Sequence, residues 1–596
     1  MSDKWSLTDI YPSYDSPEYT ADFESLRPMI EKMNKLSGEL NSFENVVELM
    51  KLNEDYDIKI DRLFSYSAYI HSTDTASQDA TKHMYLLQTL NAETSRMEVR
   101  LSAYLAKIAK TQDIAALAKA HGIEECIYKM QHRVEEYAHM LSEDEETLIS
   151  QLSPTGSTAW RMLHDKLISN LTCEYADPKD GGKTRTITIN ECRNLAYDPD
   201  SEVRKAAYEA ELAAYPQIAE ASAASINSIK GEVNLLSRLR KFDSPLQSTL
   251  FSSAMTQKTL DAMFEAIDAN VQHLREYMKT KAKYLNKTLG KNYTGLPFYE
   301  MFAPVGQSSD KPFTYDEAKA FVSENFGRFS PEMEKVAHQA FDNNWIDVYP
   351  YDGKVSGAFC GSIYGIKQFR ILLNYGNSLS DAITLAHELG HGYHSMQIMQ
   401  ERIINTNYPM PLAETASTFC EIIVANSALK ILPDEEKIQI IESGLQDATQ
   451  VLLDIYSRFL FEKSVFETRV DHPLSVEELN EFMLKAQRDS YGDGLDPELL
   501  HPYMWVIKPH YYSAGRSYYN FPYAFGHLLA NGLYKIYTDD PAAFGAKYDN
   551  FLRASGKMPI KESCQMLGID VESPDFWKSA IDVIKTNIQE FQRLTQ

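Results

Sequence analysis

The sequence predicts a mainly α-helical, multi-lobed body with one small β-sheet. Apolar residues recur every three or four positions over long stretches in which Gly and Pro are sparse, which is typical of amphipathic helices. The chain has 596 residues, enough for one large multi-lobed body or for three to four smaller domains. Residues 345–376 depart from the helical pattern because they are rich in Gly and β-forming residues, and they form the one strong strand region.

The composition indicates an ordinary folded protein and argues against several partners. Hydrophobic residues make up 44% and charged residues 24% of the chain, which excludes a disordered or collagen-like protein. The formal net charge of −25 repels phosphate backbones and anionic lipids, so we expect no nucleic-acid and no membrane partner. The six cysteines include no CxxC pair, and the sequence has no apolar leader and no run of 18 apolar residues. These features predict a cytoplasmic location.

The first predicted domain is a helical lobe over residues 1–115. Its clearest helix covers residues 75–111, where apolar positions alternate spacings of three and four. The seam covers only three heptads, so this pattern favours a helix packed on the preceding one, at about residues 43–70, over a dimeric coiled coil.

The second predicted domain is a connecting lobe over residues 116–195. Pro178, Gly181 and Gly182 precede the alternating stretch TRTITIN, which predicts a hairpin at residues 172–190. The third predicted domain covers residues 196–596. It is helical from about residue 200 to 290 and contains the strand region at 345–376.

A metal-binding motif follows the strand region directly. The segment His387-Glu388-Leu389-Gly390-His391 is an HExxH motif. Its helix is predicted to begin at a capping box formed by Ser378 and Asp381. Residues four apart on a helix lie about 40° apart and one turn apart in height, so the two imidazoles can hold one zinc ion. Glu388 lies beside them and is placed to take a proton from a metal-activated water.

A catalytic zinc needs a third protein ligand and one open position. The extended metzincin motif would require Gly at position 394 and His at position 397, whereas the chain has His394 and Gln397. His394 stands about 10.5 Å along the axis from His387, which favours a supporting or packing role over ligation.

The better third ligand is Glu414. It follows Pro409 and Pro411, which are predicted to start a helix with Glu414 in its first turn. Glu421 lies seven residues on and shares this face. Two roles stay open for Glu421: it holds a ligand His by its other ring nitrogen, or it is a surface carboxylate.

Six segments spread over nearly the whole chain carry a family resemblance: KWSLTDIYPS, DGKVSGAFC, ILLNYG, HELGHGYH, PLAETASTF and WVIKPHYY. With these segments the sequence resembles the oligoendopeptidase F group of the thimet-oligopeptidase-like zinc metallopeptidases. The resemblance implies a deep internal substrate channel and one zinc ion per chain, held by His387, His391 and Glu414. It also implies Glu388 as the base and short peptides as substrates.

The resemblance further implies two groups of residues that act on the substrate. One is a strand that pairs with the substrate backbone, formed by Gly357, Ala358, Phe359 and Cys360. The other comprises a His and later tyrosines placed over the zinc as oxyanion donors, here His510, Tyr519 and Tyr523. The spacing from His510 to Gly526 is longer than in the commoner pattern and Phe521 stands where a Tyr is expected, so Tyr518 or Arg516 could replace one of these donors.

The sequence thus predicts a zinc endopeptidase that acts on oligopeptides without a covalent intermediate and without needing to oligomerise. One alternative is a peptidase of the dipeptidyl carboxypeptidase type, which trims termini. The alternative from another class is a non-catalytic peptide-binding helical protein with a zinc site. Glu388 argues against the latter, because a binding protein has no use for a base beside the metal.

Overall fold

Helix dominates the computed structural model, which describes residues 3–306 and 312–596. About 72% of the chain is helical, which confirms the predicted mainly α class. None of the described helices combines the length and the apolar composition needed to cross a membrane. Before residue 307 the helices are α1 (Pro17–Gly38), α2 (Phe43–Thr73), α3 (Gln78–Ala92), α4 (Ser95–Ile108), α5 (Ile114–Ala120), α6 (Ile127–Ala138), α7 (Glu143–Leu152), α8 (Ser157–Asn170), α9 (Ile189–Asn194), α10 (Ser201–Ala214), α11 (Ala219–Leu239), α12 (Pro245–Ser252) and α13 (Gln257–Leu289).

The helices and strands of the remaining chain complete the fold. After residue 311 the helices are α14 (Tyr315–Phe329), α15 (Pro331–Asp342), α16 (Leu379–Ile398), α17 (Met410–Ala413), α18 (Thr415–Ile431), α19 (Asp434–Thr449), α20 (Ile455–Arg469), α21 (Val476–Tyr491), α22 (Met504–Ile507), α23 (Phe521–Asp539), α24 (Pro541–Ala554), α25 (Ile560–Gln565) and α26 (Pro574–Thr595). The strands are β1 (Thr172–Asp177), β2 (Lys183–Thr188), β3 (Ile346–Asp347), β4 (Phe359–Ile363) and β5 (Gln368–Leu372).

The chain folds into two compact units, and each is assembled from three separate stretches. Unit 1 contains Met1–Met140, Lys311–Ser427 and Ile536–Ile569. Unit 2 contains Leu141–Asp310, Ala428–Lys535 and Asp570–Gln596.

In unit 1 the long helix predicted over residues 75–111 is divided into α3 and α4. The break falls at Glu93 and Thr94, where the Thr94 hydroxyl donates to the carbonyl of Asn91 at 2.7 Å. A short polar side chain that bonds its own backbone competes with the helical pattern, which explains the break. Helix α3 packs against α2 as predicted, whereas α4 packs against α1 and α6.

A three-stranded sheet in unit 1 supports the HExxH helix. Strand β5 is central, with β3 parallel on one side, in register Ile346 to Ile371, and β4 antiparallel on the other, in register Phe359 to Leu372. Helix α16 contacts both β4 and β5, so the predicted small sheet beside the HExxH helix is present. Among the described residues β4 pairs with no second strand and is therefore an edge.

Unit 2 is built on long helices and one hairpin. Strands β1 and β2 pair antiparallel, with Thr172 opposite Thr188, as the sequence predicts. The longest helix, α13, packs against α26. Between α19 and α20 the chain winds through a five-residue π-helical segment, Gln450–Asp454. Wider π turns are rare and often occur at functional sites, so this segment is a candidate for the wall of a binding site.

Candidate metal centre

Helix α16 begins at the predicted capping box and carries the HExxH. The Ser378 hydroxyl accepts from the Asp381 backbone N–H at 3.1 Å, and the Asp381 carboxylate accepts from the Ser378 N–H at 2.9 Å. The two glycines of α16, Gly390 and Gly392, allow neighbouring elements to pack closely against the helix. A Cβ on Gly390 would lie 2.7 Å from the Ala416 carbonyl oxygen of α18, and one on Gly392 would lie 2.6 Å from the ring of Phe369 on β5.

Three side chains of unit 1 meet at one point with the spacing that zinc requires. The Nε2 atoms of His387 and His391 are 3.2 Å apart, and each lies 3.3 Å from Oε2 of Glu414. A tetrahedral zinc with bonds of about 2.0 to 2.1 Å places its ligand atoms about 3.3 Å from one another. The two imidazoles and the carboxylate therefore fit a zinc ion, and they are the one such His/Cys/Asp/Glu group in the part of the chain that the structure describes.

Glu414 lies at the junction between helices α17 and α18. The sequence predicted instead that Glu414 would lie in the first turn of a helix. The two prolines start only the four-residue helix α17, which ends at Ala413, and Glu414 itself has φ −93° and ψ 2° before α18 begins at Thr415. The hydroxyl of Ser417 donates to the Glu414 carbonyl or to its carboxylate, each at 3.0 Å. Ser417 was not predicted from the sequence, although a Ser three residues after the ligand on a helix is a signal for such a contact.

Glu421 lies on α18, where its carboxylate contacts the other nitrogen of His387. The distance from Nδ1 to Oε1 is 2.9 Å. A carboxylate at Nδ1 fixes the tautomer and the ring orientation of a ligand His, and it leaves Nε2 free for the metal. Burial alone would lower the pKa of His387, but the contacts with Glu414 and Glu421 outweigh burial and raise it to about 10.

The side chain of Glu388 is buried next to the three candidate metal ligands. Its Oε2 has no hydrogen-bond partner among the described residues. Burial raises the pKa of this carboxyl group, while the imidazoles of His387 and His391 oppose the shift. Next to a group of side chains that can bind zinc, Glu388 therefore has a carboxyl oxygen that is able to accept a hydrogen bond or a proton.

His394 lies outside the ligand group. It is buried one turn beyond His391, with its Nε2 2.9 Å from the Ser555 hydroxyl and its ring stacked on Tyr408 at 4.3 Å. Burial, together with His391, lowers the pKa of His394 to about 3. Tyr408 was not predicted from the sequence, because it belongs to no recognisable motif.

The predicted substrate-binding strand only partly coincides with β4. Phe359 and Cys360 begin that edge strand, whereas Gly357 and Ala358 precede it. Gly357 adopts φ +83°, a left-handed conformation that favours Gly, and its carbonyl accepts from the side-chain amide of Asn374 at 2.8 Å. The Glu388 carboxylate adds to burial in raising the pKa of Cys360, which indicates that β4 lies near the base.

The predicted oxyanion donors form a cluster in unit 2. The Tyr523 hydroxyl donates to the Tyr519 hydroxyl at 3.3 Å, and the rings of His510 and Tyr519 stack with centroids 6.0 Å apart. His510 lies in a 3₁₀ turn at Pro509–Tyr512, with its Nε2 3.4 Å from Nη1 of Arg458. Burial and the cations Arg458 and Lys508 lower the pKa of His510 to about 4, so its imidazole is neutral at pH 7.

The alternative donors have other surroundings. Tyr518 is buried with φ +51°, and its ring packs against Phe459 and Phe466. The Arg516 guanidinium lies 5.1 Å from the ring centroid of Tyr519, within the cluster.

Comparison with known families settles the class of protein. Residues 194–583 match the sequence model of Peptidase family M3. The chain belongs to this family. Residues 109–172 match a second model, Oligopeptidase F, which confirms the resemblance drawn from the motifs. This M3 chain is therefore a peptide-hydrolysing metallopeptidase, and peptides are its substrates.

Several relatives match this M3 chain along most of its length. It is 24% identical to Oligopeptidase PepF of Bacillus subtilis over 99% of the chain and 87% of the relative. It is 28% identical to the chromosomal Oligoendopeptidase F of Lactococcus lactis subsp. cremoris over 70% of the chain and 68% of the relative. The solved structure of oligoendopeptidase-F from Enterococcus faecium shares the fold with a TM-score of 0.69 and 18% identity, over 97% of this chain and 98% of that one.

Proposed function

We propose that this M3 chain is a zinc-dependent endopeptidase that hydrolyses short oligopeptides, with Glu388 as the general base. The observation that carries the proposal is the triangle of His387, His391 and Glu414, whose sides of 3.2 to 3.3 Å match the ligand spacing of tetrahedral zinc. Relatives named oligoendopeptidase F support internal cleavage over the trimming of termini.

In the proposed reaction, the side chains of unit 1 would bind the metal, transfer the proton and orient a ligand. Zinc bound there would act as a Lewis acid that polarises the peptide carbonyl and acidifies a water molecule. Glu388 would accept the proton of the attacking water and pass it to the leaving amine. A raised pKa suits this role, because the carboxyl group must hold the proton between two transfers. Glu421 would hold the His387 ring in place throughout.

We assign two further roles on the family resemblance together with the contacts described above. His510, Tyr519 and Tyr523 would donate hydrogen bonds to the oxyanion. The edge strand β4, from Phe359, would pair with the substrate main chain, which lets many peptide sequences bind because main-chain hydrogen bonds ignore side chains. The cytoplasmic location, the single zinc per chain and activity without oligomerisation are part of the same proposal.

The deciding experiment is the Glu388→Gln variant. Gln keeps the size of the side chain but cannot take the proton, so we expect zinc content to stay normal while turnover falls by several orders of magnitude. Zinc is measured by atomic absorption, and turnover is measured by mass spectrometry on a mixed peptide library with and without chelator. Exposed Glu435 provides the control variant Glu435→Gln. Near-normal turnover in Glu388→Gln would overturn the mechanism, and release of only C-terminal dipeptides would overturn internal cleavage.

A further inference from the structure

Unit 2 contains a cavity whose wall includes neither the candidate metal ligands nor the proposed base and oxyanion donors. Its volume is about 270 Å³, close to the lower end of the roughly 300 to 1,000 Å³ typical of small-molecule sites. Its wall includes residues of helices α9, α10, α13, α19, α20 and α22, residues from 296 to 302, the π-helical segment before α20, and Lys508, which follows α22. The π turn presents Gln450 and Asp454 to the cavity, which is a reason for the rare geometry at this place.

The charges around the cavity are balanced with one exception. Three arginines line it and each has its own carboxylate partner, in the pairs Arg193–Glu211, Arg204–Glu300 and Arg458–Asp454. Lys508 also lines the cavity, and its ammonium makes no hydrogen bond or ion pair with any other residue that the structure describes. The cavity therefore carries one unbalanced positive charge.

The lysine remains a cation in its surroundings. Burial lowers the pKa of Lys508 to about 8, against the attraction of the Asp454 carboxylate, so most of the ammonium is still charged at pH 7. A desolvated cation without a partner is costly to a folded protein, since buried charges are otherwise paired. Arg458 adds a second unmet donor, because it is 8% exposed and its buried Nε has no acceptor among the described residues.

The rest of the wall would suit an apolar group. Aromatic and thioether side chains, among them Phe298, Met301 and Phe302, line the cavity. A ligand that satisfies both parts of the wall needs one negative charge joined to a compact apolar group. A planar carboxylate matches the donors of a lysine and an arginine in both charge and geometry.

We propose that this cavity binds a small molecule in which a carboxylate is attached to an apolar side chain, with Lys508 as the residue that pairs with the carboxylate. Two sources share this chemistry, a free apolar amino acid and the carboxyl end of a very short peptide. The proposal goes beyond the zinc peptidase function, because no atom of the metal-ligand group takes part in it.

Isothermal titration of the full-length protein tests the proposal with two matched probes. We expect N-acetyl-phenylalanine to bind saturably, and its amide, which lacks the charge, to bind at least tenfold more weakly. This comparison uses the unaltered protein and so does not depend on the folding of a variant. Acetate carries the carboxylate but lacks the apolar side chain, so it should bind at least tenfold more weakly than N-acetyl-phenylalanine. Equal binding of acid and amide, equal binding of acetate, or no saturable binding up to about 10 mM would each overturn the proposal.

A lysine variant ties the binding to this cavity. We expect Lys508→Met to lose at least tenfold in affinity for N-acetyl-phenylalanine and to melt no lower than the parent without ligand, because it removes an unpaired charge. The control is Lys258→Met, on an exposed position of α13 in the same unit. Unchanged affinity in Lys508→Met would overturn the assignment. Phenylalanine and glycyl-phenylalanine, the latter checked intact by mass spectrometry, then identify the source by which of them binds more tightly.

Discussion

At the scale of single residues, His387 is the centre of the metal site because both of its ring nitrogens face carboxylates. Glu421 lies 2.9 Å from Nδ1 and Glu414 lies 3.3 Å from Nε2. The buried carboxyl group of Glu388 follows directly in the chain. Three acidic groups around two imidazoles repel one another unless a cation lies between them, and a divalent metal places two positive charges at one point among them. This excess of acidic groups makes the site selective for a cation.

The roles of the acidic residues can be separated by zinc retention. Glu414→Ala removes one corner of the triangle, so we expect it to lose most of its zinc after mild dialysis. His394→Ala and Glu421→Ala should keep zinc, with an affinity weakened by about 10- to 100-fold at most, because these residues contact a ligand or pack nearby. Zinc content per chain is the measurement. Full occupancy in Glu414→Ala, with loss in His394→Ala, would show that the third ligand is misassigned.

The aromatic cluster of unit 2 gives a second residue-scale prediction. A group that donates only to the developing oxyanion stabilises the transition state alone, so its removal lowers kcat and leaves KM and zinc content nearly unchanged. We expect Tyr523→Phe and His510→Ala each to lose about 10²- to 10³-fold in kcat.

Tyr511→Phe is the matched control for this prediction. Tyr511 is fully buried, its ring packs against Phe461, and its hydroxyl has no partner among the described residues, so the variant should stay within a few-fold of the parent. Single-turnover rates of Tyr523→Phe and His510→Ala that match the parent would exclude both as donors and direct attention to Tyr518, Tyr519 and Arg516.

At the scale of elements, the metal centre depends on how closely α16 approaches its neighbours. Gly390 lets α18, which carries Glu421 and follows Glu414, come within contact of the helix of the two histidines. The glycines of HELGHG thus set a distance between elements, although each lowers the intrinsic stability of the helix by about 1 kcal/mol.

Gly390→Ala tests this role. Alanine is the better helix former, but its Cβ would lie 2.7 Å from the Ala416 carbonyl oxygen and 2.8 Å from Cα of Ser417, which are backbone atoms that cannot turn aside. We expect a net loss of about 1 to 3 kcal/mol in stability and weaker zinc binding, measured by denaturant unfolding and by metal titration. The control is Gly444→Ala on α19, where the added Cβ meets nothing within 4 Å, and it should stabilise by up to about 1 kcal/mol. A stabilised Gly390→Ala would contradict the packing argument.

Local signals explain which elements the sequence could predict. The HExxH helix was predictable because its cap, its apolar period and its paired histidines all lie within one stretch of about 20 residues. The joint at Glu414 was not, since the sequence shows two prolines but not that the helix they begin lasts only four residues. The break at Glu93 was missed for a related reason: the apolar period runs on through Thr94, while a single hydroxyl contact interrupts the helix there.

At the scale of the whole molecule, assembly from separated stretches limits what a sequence can show. The three candidate metal ligands come from a single stretch of unit 1, and they lie within 28 consecutive residues, from His387 to Glu414. They could therefore be proposed from motifs that are close together in the sequence. The wall of the cavity in unit 2 is different, because Arg193, Asp454 and Lys508 come from regions more than 50 residues apart. No periodicity or motif connects such positions, and only the folded chain reveals that the Lys508 ammonium makes no ion pair with any residue that the structure describes.

The stability of the whole protein should also depend on an acidic group in unit 1. Burial, followed by the charge of Glu98, raises the pKa of Asp57 to about 7, although Arg133 opposes the shift. The folded protein therefore binds a proton at Asp57 that the unfolded chain, with a carboxyl pKa near 4, has already released between about pH 4 and pH 7. Because the folded state holds more protons in this window, the contribution of Asp57 to the free energy of unfolding falls as the pH rises through it.

Asp57→Asn removes this titration while keeping the shape of the side chain and an oxygen that can still accept from Asn53, whose amide donates at 2.9 Å. We expect the variant to be more stable than the parent at pH 8, where the parent must hold a desolvated charge, and to differ little from it at pH 4. Comparing the two proteins at each pH cancels the other titrating groups, including Asp61, whose pKa burial raises to about 6. Urea unfolding at both pH values is the measurement, and Asp55→Asn on the exposed side of α2 is the control. An equal gain at pH 4 and pH 8 would mean that Asp57 acts through packing and not through its charge, and a loss at pH 8 would reverse the sign of the argument.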